Sequence, residues 1–332
     1  MNPHTKIEIQ DVWEAKKRMQ TMIKPTPLIA SPKLSDKINA SVYLKLENLH
    51  EIGSFKVRGA SNKIVSLTEE EKSHGVTTFS TGNHGLAVAY IAKRLGIRAV
   101  ICISNRVPVG KVNAIQQIGA EVERVGDSQD DAEERCYQLE KEQGLTVIKP
   151  FDDPHIIAGQ GTMGLEIIEE VPRIDTVIVP LSGGGLFSGV ALALKSYNPS
   201  IQLIGVSMEN AAVMSESLKA DRPVILPEQN TLADSLLGGI GLNNQYTFPL
   251  VKEYLDDLIL LTEEEIATGM GFMLNQHKLV VEGAAATGVA AILSGKLKTH
   301  GKHVATIITG NNIDLTAFTS IFQKQLYKSS RQ

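Results

Sequence analysis

The sequence predicts an α/β protein made of two open, twisted lobes, each built on a parallel sheet, and two observations carry that prediction. Short β-branched runs alternate with longer segments in which apolar residues recur every three or four positions. Some runs are apolar throughout, such as Val177-Ile178-Val179, which is typical of strands covered on both faces. Alternating strands and helices imply a parallel sheet with helices on both of its faces.

The same pattern assigns the elements in order along the chain. Predicted strands occupy residues 42–47, 76–80, 99–103, 121–125, 176–181, 202–207, 258–261 and 304–309. The helical spacing is clearest in residues 86–95, 130–143 and 263–274. No low-complexity linker separates the lobes, so we expect an interwoven arrangement, with a large domain from 1–70 and 151–332 and a small domain from 71–150. Functional loops are expected at the carboxyl ends of the strands.

Composition excludes several classes of protein. A chain of 332 residues can bury a sizeable core. Its net charge of −4 lacks the positive excess that is typical of proteins that bind nucleic acid. No apolar run approaches the ~18 residues of a membrane helix, and the polar start of the chain resembles neither a signal nor a transit peptide. The two cysteines, Cys102 and Cys136, lack metal-ligand spacing. We therefore expect a cytoplasmic protein without a metal site.

One lysine stands in an unusual setting, in the segment Gly53-Ser54-Phe55-Lys56-Val57-Arg58-Gly59-Ala60. It follows an aromatic residue directly and lies at the start of a predicted helix. A short tether, an apolar neighbour and the positive end of a helix dipole favour a free amine, which can attack an aldehyde. For the segment alone, a solvated surface lysine remains the alternative.

A glycine-rich loop, Leu181-Ser182-Gly183-Gly184-Gly185-Leu186, joins a predicted strand to a helix. Successive glycines let the backbone fold closely around an anion, with N–H groups and the helix dipole directed at it. The spacing is neither the dinucleotide fingerprint nor a P-loop. The loop is interpreted as a phosphate cradle, and a tight turn without a ligand is the alternative.

Two further polar loops end predicted strands. Ser80-Thr81-Gly82-Asn83-His84-Gly85 offers hydroxyl, amide and backbone donors that can bind a carboxylate or a ring oxygen, although serine and asparagine are also ordinary helix caps. Ile308-Thr309-Gly310-Asn311-Asn312 follows the last predicted strand and taken alone could be any turn. An imine-forming lysine, a phosphate cradle and a polar loop are together what pyridoxal phosphate requires.

These motifs give the chain a clear family likeness. It resembles the fold type II pyridoxal-phosphate enzymes, whose fold is that of the tryptophan synthase β chain, and within them the serine/threonine dehydratase and serine racemase group. The matching strings run in order over nearly the whole chain: Thr26-Pro27-Leu28, the lysine segment, Ser80 to His84, Gly119-Ala120-Glu121-Val122, Ile157-Ala158-Gly159-Gln160-Gly161-Thr162, the glycine loop and Val281-Glu282-Gly283.

The resemblance implies a role for each candidate residue. Lys56 would carry pyridoxal 5'-phosphate and later take the α-proton of the substrate, while Phe55 would pack against the pyridine ring. Asn83 would bind the phenolic oxygen of the cofactor, and Thr309 would face the ring nitrogen. Backbone groups of the glycine loop would hold the phosphate: Gly183, Gly184, Gly185 and Leu186. The polar loop would surround the substrate carboxylate: Ser80, Thr81, Gly82 and His84.

Two positions refine the expected chemistry. The hydroxyl of Thr309 supplies no negative charge to keep the ring nitrogen protonated, which suits β-elimination better than accumulation of a carbanion. Thr81 stands where racemases of the group carry a serine, and its methyl group and stiff χ1 make it a poorer proton donor. We therefore expect loss of water from a β-hydroxy-α-amino acid, giving a 2-oxo acid and ammonia.

The metal site of many relatives is expected to be missing. Aligned on the strand, its two carboxylate positions fall on Ser207 and Val213, neither of which is a ligand for a hard cation of this kind. Oligomeric state is expected from the group, as a homodimer or a homotetramer. The only partner expected besides other copies is a small amino-acid substrate.

Three short segments resemble one branch of the group and so suggest a more specific substrate. Val206-Ser207-Met208-Glu209, Ala233-Asp234-Ser235-Leu236 and Asn312-Ile313-Asp314 resemble dehydratases of hydroxyectoine utilisation, which act on a hydroxylated diaminobutyrate derivative. L-Threonine or L-serine is the other expected substrate. Three alternatives stay open: a serine racemase, an O-acetylserine-type β-replacement enzyme and a non-catalytic pyridoxal-phosphate-binding protein.

Overall fold

The computed structural model describes residues 6–80, 82–107, 109–299 and 301–329. They form two compact units. Unit 1 consists of the described residues up to Lys24 and from Phe55 to Thr162, and unit 2 consists of Pro25–Ser54 and the described residues from Met163 onward. The predicted domain boundaries, 1–70 with 151–332 and 71–150, stay a prediction.

The strands are β1 (Leu28–Ala30), β2 (Ser41–Lys45), β3 (Val76–Thr78), β4 (Ala99–Ile103), β5 (Glu121–Arg124), β6 (Thr146–Val147), β7 (Thr176–Pro180), β8 (Gln202–Met208), β9 (Asp257–Leu261) and β10 (His303–Ile307). The helices are α1 (Ile9–Met19), α2 (Pro32–Ile38), α3 (Lys56–Val65), α4 (Glu69–His74), α5 (Asn83–Leu95), α6 (Val109–Ile118), α7 (Gln129–Gln143), α8 (Pro154–Glu170), α9 (Gly185–Tyr197), α10 (Val213–Ala220), α11 (Thr247–Tyr254), α12 (Glu263–Phe272), α13 (Gly283–Leu293) and α14 (Leu315–Ser329).

Among its described residues, unit 1 is built on a four-stranded sheet in the order β5-β4-β3-β6. All neighbouring strands in it are parallel, as in the pairing of Val76 with Ala99 and with Thr146. One face is covered by α7, which buries Ala132, Cys136 and Leu139 against the sheet. A capping box in which Ser128 and Asp131 bond each other's backbone begins this helix.

In the described part of unit 2, a six-stranded sheet has the order β1-β2-β10-β7-β8-β9. Its strands are parallel except β1, which pairs antiparallel with β2. The apolar run that predicted a doubly covered strand lies in β7, where Thr176–Pro180 is buried throughout. Helix α13 is buried along nearly its whole length and contributes to the main core of this unit.

The predicted α/β class with parallel sheets is confirmed, and every predicted strand and helix has a counterpart. Two strands were missed, β1 and β6, because runs of three and two residues are too short to show a period. Several boundaries differ by one or two residues; β2, for example, ends at Lys45 rather than at 47. Across the described residues, no helix is long and apolar enough to span a bilayer.

Candidate active site

Lys56 is the first residue of α3, and its side chain is half-buried. Phe55 already has helical backbone angles, φ −60° and ψ −21°, so the chain enters the helix without a break. The Lys56 Nζ atom donates a hydrogen bond to the carbonyl oxygen of Pro150 at 2.9 Å and lies 5.4 Å from the centroid of the Phe55 ring. The amine therefore has both an acceptor and an aromatic face beside it.

Three polar side chains of helix α3 bond to α8 and to the residue just before it. Arg58, which is 1% exposed, donates to Thr162 Oγ1 at 3.1 Å. Asn62 Nδ2 donates to a main-chain carbonyl at the start of α8, and the Lys63 Nζ atom lies 2.7 Å from a carboxylate oxygen of Asp153. These bonds leave the helix that carries Lys56 little freedom to rotate or slide.

His84 faces the lysine side of unit 1 and is almost wholly buried, at 2% exposure. Its Nε2 atom lies 3.0 Å from the carbonyl oxygen of Ile148. A carbonyl can only accept, so Nε2 carries the ring proton. Burial, aided by the positive charge of Lys56, lowers the pKa of His84 to about 3, and the ring is neutral near pH 7.

The Ser80–Gly85 loop leads from β3 into α5. Ser80 is half-buried, and Asn83 and His84 are buried in the first turn of the helix. A Cβ atom on Gly85 would lie 1.9 Å from the carbonyl oxygen of Ser80, whereas one on Gly82 would meet no atom within 4 Å among the described residues beyond its own chain neighbours. The first turn therefore packs directly on its own loop.

Two predictions for this loop stay predictions. Thr81, which the resemblance places at the position of the proton-donating serine of racemases, lies outside the described residues. The expected contact of His84 with a substrate carboxylate competes with the bond to Ile148, because a neutral imidazole has a single N–H donor.

The glycine loop of unit 2 joins β7 to α9, which begins at Gly185. Gly184 has φ 87°, and a Cβ atom there would lie 2.9 Å from the Cβ atom of Thr247. Ser182 Oγ fixes the loop by donating to the carbonyl oxygen of Leu236 at 2.8 Å. The first N–H groups of a helix have no acceptor within it, so Gly185 and Leu186 begin a helix whose free donors suit an anion.

Thr309 is buried, at 3% exposure, two residues beyond the end of β10. The next residue, Gly310, pairs with Ser54 in an isolated antiparallel bridge, and a Cβ atom on it would lie 2.8 Å from a carboxylate oxygen of Glu282. Ser54 Oγ is buried and has no hydrogen-bond partner among the residues that the structure describes. Because β10 and β7 are parallel neighbours, Thr309 and the glycine loop follow strands that end at the same edge of the sheet.

The predicted residues thus fall into two groups. Unit 1 contains Phe55, Lys56, Ser80, Gly82, Asn83 and His84, and unit 2 contains Gly183, Gly184, Gly185, Leu186 and Thr309. Sequence reasoning missed the acceptors Ile148 and Pro150 and the donor Thr78, which the fold of unit 1 brings beside Lys56 and His84.

Each unit, taken by itself, carries residues that fit pyridoxal phosphate. Lys56 offers a half-buried amine to an aldehyde, and the glycine loop excludes side chains at Gly184 while leaving helix-start donors for a phosphate. In the part of the chain that the structure describes, no group of three or more His, Cys, Asp and Glu side chains is placed to hold a metal ion. The absence of a metal site stays a prediction.

Comparison with known proteins agrees with this fit. Residues 19–310 match the family of pyridoxal-phosphate dependent enzymes. An L-threonine ammonia-lyase of Thermotoga maritima is 43% identical, covering 98% of this chain and 80% of that protein. A catabolic L-threonine dehydratase of Staphylococcus aureus is 42% identical, covering 96% and 93%.

Among solved structures, maize serine racemase matches with a TM-score of 0.90 at 35% identity, covering 98% of this chain and 100% of that one. The family match extends over far more than half of the chain, and the two relatives exceed 40% identity over nearly its full length. The chain therefore belongs to the family of pyridoxal-phosphate dependent enzymes, in the fold type II group of serine and threonine dehydratases and serine racemases.

Proposed function

We propose that this enzyme is an ammonia-lyase that removes water from a β-hydroxy-α-amino acid and yields a 2-oxo acid and ammonia. The observation that carries the proposal is the setting of Lys56. Its amine is half-buried at a helix start, hydrogen-bonded to a carbonyl and beside a histidine held neutral by burial. Two relatives above 40% identity named as an ammonia-lyase and a dehydratase of threonine support the reaction class.

In this proposal, unit 1 provides the proton-transfer groups. Lys56 holds the cofactor and, when its nitrogen is free, takes the α-proton of the substrate. Phe55 packs against the cofactor ring, and Asn83 binds its phenolic oxygen. The substrate carboxylate is bound by the polar loop, which comprises Ser80, Thr81, Gly82 and His84. Bound pyridoxal phosphate supplies the electron withdrawal that allows the α-proton to leave.

Unit 2 provides the anchoring groups. Backbone N–H groups of Gly183, Gly184, Gly185 and Leu186 bind the phosphate at the start of α9, where the helix dipole adds to the attraction. Thr309 presents a neutral hydroxyl to the ring nitrogen. Because a hydroxyl leaves that nitrogen without a charged partner, the site favours prompt departure of a β-hydroxyl group.

The finer proposal concerns the substrate. The strings around Ser207, Asp234 and Ile313 support a hydroxylated diaminobutyrate derivative of hydroxyectoine breakdown, with L-threonine and L-serine as the general members of the class. A panel of L-threonine, L-serine, hydroxyaspartate and hydroxylated diaminobutyrate derivatives tests both the reaction class and the identity of the substrate. Each compound is assayed for release of ammonia and 2-oxo acid. Absence of ammonia from every member would refute the reaction class.

Lys56→Ala is the matching test of the catalytic amine. We expect loss of turnover by at least about a thousandfold, because the variant lacks both the covalent attachment and the base. Lys72→Ala is the control, since Lys72 lies in the exposed helix α4 and pairs there with Glu69. Normal turnover of Lys56→Ala would show that another amine reacts.

Racemisation is a second candidate function, favoured by the match to maize serine racemase. The assay of L-serine should therefore include D-serine as a product. We expect ammonia to exceed D-serine, because Thr81 replaces the serine that racemases of the group use for reprotonation. A β-replacement enzyme would instead make cysteine from O-acetylserine and sulfide.

A further inference from the structure

The segment that follows β6, residues 148–150, presents two carbonyl oxygens to side chains of the predicted active site. The Pro150 carbonyl accepts a hydrogen bond from the Lys56 Nζ atom at 2.9 Å. The Ile148 carbonyl accepts from His84 Nε2 at 3.0 Å and from Thr78 Oγ1 at 2.8 Å. A single short segment thus contacts both the lysine and the histidine.

Several bonds fix this segment in place. Ile148 N–H donates to the Thr77 carbonyl at 2.8 Å, which continues the pairing of β6 with β3 beyond the strand itself. Both Thr78 and Ile148 are fully buried. Proline has a restricted φ and no N–H group, so at position 150 the backbone offers only an acceptor, and one backbone torsion less can vary between it and the anchored Ile148.

The two donors to the Ile148 carbonyl, His84 and Thr78, keep the same protons near neutral pH. His84 stays neutral with its proton on Nε2, and the hydroxyl of Thr78 does not ionise. The Ile148 carbonyl, two residues before Pro150, is therefore held by the same two donors throughout the neutral pH range.

We propose that the Pro150 carbonyl is the holding site for the free ε-amine of Lys56, and that Thr78 is a positioning residue that fixes this acceptor through the Ile148 carbonyl. The inference rests on the proposed role of Lys56 as the cofactor-bearing amine. Each time the nitrogen is released, the carbonyl receives one of its N–H groups and keeps the amine near the place to which it must return.

Selective labelling of the full-length protein freed of cofactor tests this assignment. Acetic anhydride at limiting concentration acylates free amines, and mass spectrometry gives the rate for each lysine. In Thr78→Val the Ile148 carbonyl loses one donor, while the shape of the side chain is kept. We expect the ratio of the Lys56 rate to the Lys63 rate to rise about two- to tenfold, the factor equivalent to one neutral hydrogen bond.

Lys63 is the internal control, because it lies in the same helix and its partner Asp153 does not depend on Thr78. Thr78→Ser keeps the hydroxyl and should leave the ratio at the value of the unmodified sequence. An unchanged ratio in Thr78→Val, or an equal rise in both lysine rates, would overturn the proposal, since the second result indicates general loosening of unit 1.

Pro150→Ala provides an independent arm should Thr78→Val fail to fold. It keeps the carbonyl and relaxes φ, so we expect the same change in the same direction but smaller; no change would contradict the holding site. In the enzyme loaded with cofactor, Thr78→Val should lower kcat with little effect on KM. A shifted labelling ratio without ammonia release from any β-hydroxy amino acid would reject the dehydratase function and leave the holding site standing.

Discussion

The loop after β3 and the loop after β7 look alike in sequence, since each carries a serine and glycines before a helix, yet their glycines are needed for different reasons. Gly184 has a positive φ and no room for a side chain between Thr247, Met214 and Val251. Gly85 lies inside a helix, where a Cβ atom would collide with the Ser80 carbonyl of its own loop. Gly184 is needed for its backbone conformation, whereas Gly85 is needed because the Ser80 carbonyl lies so close to it.

This difference matches what each loop presents. The loop of unit 2 offers main-chain donors at a helix start. Such donors can bind a phosphate whatever side chains surround them. The loop of unit 1 offers side chains, including a buried histidine whose protonation depends on its environment. A motif of strand, glycine loop and helix therefore predicts where a site lies but does not predict whether backbone or side chains do the binding.

The largest effect is expected for Gly85→Ala. Its Cβ atom would lie 1.9 Å from a main-chain oxygen, which no rotation of a side chain can relieve. We expect the free energy of unfolding to fall by about 3 kcal/mol or more, as for severe overpacking. Urea denaturation measures this loss, and a variant as stable as the unmodified sequence would show that the loop shifts freely.

Gly184→Ala comes next, with an expected loss of about 2–3 kcal/mol from the left-handed backbone and the contact with Thr247. Its distinguishing effect is on the cofactor, whose dissociation constant should rise because the loop can no longer keep its shape. Titration with pyridoxal phosphate followed by visible absorbance gives this value. Gly184→Asp should bind still more weakly, because it adds a negative charge beside the phosphate.

Lowering the pH should affect the loop of unit 1 through His84. The unfolded chain takes up a proton near the ordinary pKa of 6.5, whereas the folded protein resists it until about 3. Between those values the unfolded state binds more protons, so the free energy of unfolding falls as the pH drops, by about 2 kcal/mol at pH 5. Urea denaturation at pH 5 and pH 7 measures the change.

His84→Gln is the matched control for this pH dependence. Glutamine keeps an N–H donor for the Ile148 carbonyl and does not titrate. The difference in stability between pH 5 and pH 7 should shrink in the variant, and an equal difference would assign the pH dependence to other groups.

The smallest effect is expected for Gly82→Ala. In the described part of the chain, apart from the residues on either side of Gly82, no atom lies within 4 Å of an added Cβ, and φ is negative, at −97°. Stability should change by no more than about 0.5 kcal/mol, as at an ordinary surface position. Set against Gly85→Ala three residues later, this variant shows whether close packing, rather than glycine content, governs the loop.

Much of the fold was predictable because its signals are local. The buried run of β7 and the spacing in α5, α7 and α12 gave the element types correctly. Capping boxes fix the starts of two of these helices, at Ser128 and Thr262, with side chains only three residues apart. Short elements such as β6 escaped because two residues carry no period, and their pairing depends on neighbours distant in sequence.

The candidate site divides in the same way. The sequence by itself determined that a lysine begins a helix after an aromatic residue and that a triple glycine follows a buried strand. Only the tertiary structure decided that the Lys56 amine donates a hydrogen bond to the Pro150 carbonyl, 94 residues away. It also decided that burial lowers the pKa of His84 and keeps the ring neutral. Local patterns fix backbone conformation, whereas hydrogen-bond partners and protonation states depend on which distant segments the packed sheet brings alongside.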